Sequence, residues 1–174
     1  MHLLKYLSIF WRAILLKSRA DSIPLSPVGY FNFADSYFVA GKRLSTTKFK
    51  TTHPDSPARL LFHFTLELYL KSFLILRGED EYSIQGHKLV KLRKKAKKHG
   101  LSYSDATRIL LINFDLFNTV ITSRYFRTRY IVGGEPSFDE ILVCCEELRA
   151  EVAKHFRASG TPIGDLRDLW KEKS

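Results

Sequence analysis

From residue 58 to residue 77 the chain reads ARLLFHFTLELYLKSFLILR, apolar on nearly every side. Its larger polar side chains, Arg59, His63, Glu67 and Lys71, recur every four residues and so fall on one slowly drifting stripe. No Gly or Pro interrupts the run, β-branched residues are few, and Gly78 follows in the position that ends a helix. The pattern predicts a helix in the middle of a bundle, with the polar stripe as an internal seam. Glu67 before Lys71 is also the favourable order for an i,i+4 pair.

The flanking segments carry the same period. Residues 20–29, ADSIPLSPVG, hold two prolines, two serines and a glycine and read as a linker. NFADSYFVAGKRLS then sets Phe33, Tyr37, Phe38, Ala40 and Leu44 on one side of a helix. Residues 45–57 read as a polar loop with two prolines. Residues 87–99 predict a short helix with a thin apolar seam of Leu89, Leu92 and Ala96, closed by Gly100. In SYSDATRILLINFDLFNTVITSRYF, Ser102 or Ser104 serves as N-cap, and Ile109, Ile112, Leu116 and Val120 form the stripe. RTRYIVGGEP reads as a loop, with RYIV the one short strand-like stretch. Residues 136–157 form another helix, with Ser137 and Glu140 at capping-box spacing and Phe138, Ile141, Cys145, Leu148 and Val152 inward. ASGTPIG breaks it, and DLRDLWKEKS reads as a short tail helix.

At the other end, MHLLKYLSIFWRAILLKSRADS faintly mimics a signal peptide, but Lys5 and Arg12 interrupt its apolar run and no small-x-small cleavage site follows. The runs are too short to span a bilayer. Leu3, Leu4, Leu7, Phe10, Trp11, Ile14 and Leu15 instead recur at helical spacing. The expectation is an amphipathic helix docked on its own domain or on a partner, rather than on a membrane surface. The sum is an all-α fold: an antiparallel four-to-five-helix bundle over residues 26–174, with accessory N- and C-terminal helices. Residues 1–25 hold the N-terminal amphipathic helix and its linker.

Composition changes this picture in two ways. With 174 residues, 45% hydrophobic and 13% aromatic, the chain has enough apolar surface for one real core, which argues against disorder. Its net charge of +10 favours an anionic partner, such as RNA, DNA or an acidic membrane face. The two cysteines, Cys144 and Cys145, are adjacent; helical neighbours point ~100° apart, so they do not bridge each other. They offer neither a disulfide framework nor a zinc site, and a reducing, cytoplasmic setting follows as the default.

LFHFTLELYLKSFLILRGEDEYSIQGHKLVKLRKKA resembles the signature region of HEPN domains. There an oily helix carries a Leu-Glu-x-x-Leu-Lys core, and after a loop Gly-His-x-Leu begins the next helix. The matching residues are Leu66, Glu67, Tyr69, Leu70 and Lys71, then Gly86, His87 and Leu89. FADSYFVAGKRL resembles the family's first helix, and TSRYF with PSFDEILVCCEEL its later part. The likeness spans about residues 30–157 and leaves the N-terminal 25 residues unexplained. It implies a core helix often shared across a homodimer, followed by a helix that carries the positive outer face. Glu67, Lys71, Gly86 and His87 take structural roles in it. His87, near the helix start, is expected to cap that helix or to bond back to the acidic loop of Glu79, Asp80 and Glu81.

HEPN domains divide into ribonucleases and inactive relatives, and the ribonucleases share an Arg-x(4–6)-His motif. A cation would stabilise the pentavalent phosphate while His takes the proton of the RNA 2′-hydroxyl, with no metal needed. Arg149 and His155 have this spacing on the late helix. Ala150 stands where a polar residue is usual, and six positions rotate the two side chains ~120° apart. Arg93 and His99 repeat the spacing on another helix. For nucleic-acid contact the candidates are Lys88, Lys91, Arg93, Lys94, Lys95, Lys97 and Lys98, seven cations within eleven residues. Arg124, Arg127 and Arg129 join them, interleaved with Tyr125, Phe126 and Tyr130 in the manner that unstacked bases favour. No Gly-rich phosphate loop, His-Glu-x-x-His or acidic metal cluster appears, so no metal or cofactor is expected. The functional expectation is a bundle that binds RNA or a nucleotide-linked partner, with metal-independent cleavage as the chemistry that Arg149 and His155 would add. The alternative is a non-catalytic interaction module of a toxin–antitoxin or defence system, paired with a protein such as a nucleotidyltransferase.

Overall fold

Helix α2 (Ser56–Leu76) packs against all four other helices: α1 (Pro27–Ser45), α3 (Leu89–Lys98), α4 (Asp105–Ser123) and α5 (Phe138–Ala158). The computed structural model describes residues 26–48, 50, 54–123 and 136–164, and among them the chain is all-helical, with no strand. The oily circumference explains the central place of α2. Phe62, Leu66, Tyr69, Leu70, Phe73 and Leu74 are all fully buried. Each large side chain removed from water contributes roughly 1.5–3 kcal/mol. The helix ends at Gly78, whose φ of +84° suits a residue without Cβ. The N–H groups of Gly78 and Glu79 then satisfy the carbonyls of Ile75 and Leu74 at 2.9 and 3.0 Å.

Helix α1 lies most closely against α2. A Cβ at Gly41 would sit 3.1–3.3 Å from the Phe62 ring, so the glycine leaves room for that ring to pack on the α1 backbone. Helix α1 also begins earlier than its pattern suggests. Ser26 accepts a hydrogen bond from the Gly29 N–H at 3.2 Å, and Pro27 occupies the first helical position. Residues 27–29 are therefore the first turn of a helix rather than linker, because Ser-Pro is as good a helix start as it is a loop. The buried face is Phe31, Ala34, Asp35, Phe38 and Gly41, while Phe33 is 65% exposed. A carboxylate on the inner face concealed this stripe from a reading that sought only apolar residues.

Helix α4 shows a similar shift. Thr107, Leu110, Leu111 and Phe114 are buried, whereas Ile109 is 51% exposed and Ile112 half-buried. The segment RILLINF contains two apolar stripes, and contact with α2 selects one: Phe114 stacks on His63 at 6.5 Å with an interplanar angle of 11°. The expectations for Leu116 and Val120 lie outside the described side chains. Helix α5 follows its pattern. Ser137 and Glu140 form the capping box, and Ile141, Cys145, Leu148 and Val152 are buried. Both thiols are free and buried, and burial pushes Cys144 up to about 12 and raises Cys145 as well. The helices expected within residues 1–25 and 165–174, the RYIV stretch, and Arg124, Arg127 and Arg129 lie outside the described residues.

The two α4 stripes are separable by stability. Leu111→Ala should cost roughly 2–5 kcal/mol in urea unfolding, and Ile109→Ala about 0.5 kcal/mol or less. Equal losses would restore the outward-facing register.

Candidate functional site

The join between α2 and α3 is built from polar groups. Gly86, at φ +91°, turns the chain into α3. His87 then reaches back to α2, where its Nδ1 lies 3.0 Å from Oε2 of Glu67. Glu67 is only 3% exposed and also pairs with the Lys71 ammonium at 2.7 Å. His63, one turn earlier and 2% exposed, places Nε2 at 3.7 Å from the same carboxylate. Burial lowers the His63 pKa, against the opposing pull of Glu67 and Asp115. The first backbone N–H of α3, that of Leu89, donates to Asp115 of α4 at 2.8 Å. The expected stripe of Arg59, His63, Glu67 and Lys71 is thus an internal seam, with Arg59 donating to the Pro136 carbonyl at 2.9 Å.

His87 neither caps α3 nor bonds the acidic loop, the two roles expected of it, and contacts Glu67 instead. That loop serves the other end of α3. Glu79 pairs with Lys95 at 2.6 Å and with His99 at 2.7 Å, and it accepts the Ser83 hydroxyl at 2.8 Å. Hydrogen bonds from Lys95 and Ser83 hold the Glu79 carboxyl down at about 2. Asp80 accepts the Ser83 N–H at 2.7 Å. Short range decides this: the helix stop at Gly78 leaves Glu79 facing the last turn of α3, whereas Glu67 is nearer to the first.

Pinned at both ends, α3 turns Leu89, Leu92, Arg93 and Ala96 inward. Lys88, Lys91, Lys94, Lys97 and Lys98 remain exposed, and among the described residues none of the five makes an ion pair. Two expected members of the outer face are corrected. Arg93 is 8% exposed, because it sits only ~40° around the helix from Leu89. Lys95 is half-buried and neutralised by Glu79.

Arg149 and His155 turn to different partners. Arg149 forms a two-point pair with Asp35, Nε to Oδ1 at 2.8 Å and Nη2 to Oδ2 at 2.9 Å, and its guanidinium lies 5.1 Å above the Phe31 ring. Asp35 is 2% exposed and also accepts the Tyr69 hydroxyl at 2.6 Å. His155 packs on Phe73 with ring centroids 4.9 Å apart. Its Nδ1 accepts from Arg77 at 2.8 Å, so the ring proton of the neutral form belongs on Nε2, which lies 3.6 Å from Glu151. Burial and the Arg77 charge lower the His155 pKa, with Glu151 opposing. Asp35, Arg77 and Asp115 were not singled out from the sequence, and Tyr69 only as part of the signature stretch. Asp115, between Phe114 and Leu116, and Asp35, in an aromatic-rich helix, gave a signal as acidic residues in apolar surroundings.

Among the described residues, no cluster of three His, Cys, Asp or Glu side chains could hold a metal ion, and no helix is long and apolar enough to cross a membrane. No protein-family model, curated protein or solved structure matches the chain.

Two measurements probe these networks. Asp35→Ala leaves Arg149 facing a buried hole, and unfolding free energy should fall by roughly 3–5 kcal/mol. A loss under 1 kcal/mol would show the pair to be peripheral. For Glu79, the folded pKa near 2 lies below the usual 4.5, so its stabilisation is present above about pH 4.5 and fades as pH drops toward 2. Wild type should therefore exceed Glu79→Gln in urea midpoint at pH 6, with the two converging near pH 2. A gap independent of pH would contradict the assignment.

Proposed function

We propose that the chain is a HEPN-like antiparallel bundle that binds RNA through the lysine face of α3 and does not cleave it. The observation that carries this reading is the row of Lys88, Lys91, Lys94, Lys97 and Lys98, exposed on a helix whose opposite side is buried. Phosphates are the ligands such a row suits, since each contact releases counterions and needs no base-specific geometry. Binding without cleavage is supported by Arg149 and His155, whose side chains are engaged with Asp35 and Arg77 rather than with each other. A homodimer in a reducing, cytoplasmic setting belongs to the same reading. It is favoured by the exposed Phe33 and Leu60 on α1 and α2, and by the buried free thiols.

A second reading is the non-catalytic interaction module, with a protein such as a nucleotidyltransferase as its partner. Val143, 65% exposed on α5, favours it as an apolar contact outside the lysine face.

Titration of a labelled RNA against salt tests the first reading. Wild type should lose affinity steeply between about 50 and 300 mM salt, with a log–log slope near −0.7 per phosphate contacted. Replacing Lys91, Lys94, Lys97 and Lys98 with Gln should flatten that slope by up to about 2.8. A flat wild-type response would favour the protein-partner reading. RNA incubated with wild type in EDTA should stay intact; cleavage that disappears in His155→Ala would replace binding by catalysis.

A further inference from the structure

We propose that Tyr82 stacks an unpaired base beside the α3 lysine row, so that the ligand of this face is single-stranded. This rests on the lysine-face reading and names the class of nucleic acid that the face takes.

Tyr82 is 82% exposed, the most exposed of the large hydrophobic side chains described. It does not sit on a loose loop. It opens the short 3-10 turn Tyr82–Ile84, whose Ser83 and Ile84 are both held. Ile84 is 2% exposed in the core. The Ser83 N–H donates to Asp80 at 2.7 Å and its hydroxyl to Glu79 at 2.8 Å. The Ser83 carbonyl accepts from the Lys95 ammonium at 3.4 Å. The neighbours of Tyr82 are therefore held while its ring is presented to water. An aromatic ring gains by burial, and a rigid mount that keeps it exposed suits a flat ligand arriving from outside.

The turn also ties the backbone beside Tyr82 to the lysine-bearing helix. Ser83 is in contact with Lys95, and Lys88, Lys91 and Lys98 lie within ~60° of Lys95 around the helix axis. Tyr82 is thus one residue from a backbone contact with the helix that carries the lysine row. Lys95 itself is neutralised by Glu79, so its part is to carry the turn rather than to meet a phosphate. A row of cations with an adjacent aromatic face is the arrangement by which single strands are held: phosphates on the charges, a base on the ring. A duplex keeps its bases stacked inside and presents only phosphates and 2′-hydroxyls, leaving the ring without a counterpart.

Fluorescence anisotropy with a short oligoadenylate RNA, and with a mixed-sequence RNA duplex of equal length, tests the proposal. Tyr82→Ala should weaken single-strand binding roughly 5- to 150-fold, while Tyr82→Phe retains it. Duplex binding and the salt slope should be unchanged in both variants, because the charges remain. If Tyr82→Ala binds the single strand like wild type while the four-lysine variant loses it, stacking is refuted and the lysine reading survives. Equal losses on single strand and duplex would likewise refute stacking. If wild type binds neither RNA, both readings fall together. Superimposable melting curves of the variants keep a folding defect from imitating either result.

Discussion

Glu67 is a carboxylate 3% exposed in the middle of an apolar helix, and the rest of the site depends on how its charge is met. A lone buried charge costs several kcal/mol, far more than an exposed pair recovers. Lys71 supplies the opposite charge from the same helix, and His87 supplies a second contact from outside it. That second contact is where the chain must begin its next helix. The contact to Glu67 helps fix where α3 begins, together with the Leu89 N–H on Asp115 and the Glu79 pair at the other end.

The same logic operates in the pair of Asp35 and Arg149, which joins α1 to α5 with Tyr69 of α2 as the third member. Two buried carboxylates on neighbouring helices each take a partner from another part of the sequence, Arg149 for Asp35 and His87 for Glu67. Apolar packing fixes that the helices associate. These polar contacts fix which register they adopt, because a shift by one turn would leave a carboxylate buried without its partner. Arg149 is thereby accounted for structurally, and His155, packed on Phe73 against Arg77, is accounted for in a different neighbourhood.

Helix α3 carries more charge than its own stability favours. Lysines three and four apart repel one another by a few tenths of a kcal/mol per pair. Two features offset this. Lys95, Lys97 and Lys98 lie in the last turn, where the helix dipole favours cations, and Glu79 neutralises Lys95. The five lysines left on the surface make no ion pair with the described residues.

What the residue pattern determined was the helical class, the central place of residues 58–77, the helix stops at Gly78 and Gly100, the capping box at Ser137 and Glu140, and the internal seam of His63, Glu67 and Lys71. Each of these depends on groups within a few residues of one another, where spacing and backbone chemistry suffice. Only the tertiary structure decided the rest. It chose Leu110, Leu111 and Phe114 over Ile109 as the inner face of α4, turned Phe33 out and Asp35 in, buried Arg93, gave Lys95 to Glu79, and sent Arg149 and His155 to different partners. Those outcomes depend on which distant side chain offers an opposite charge or a complementary surface. Periodicity records that a face exists, but not what meets it.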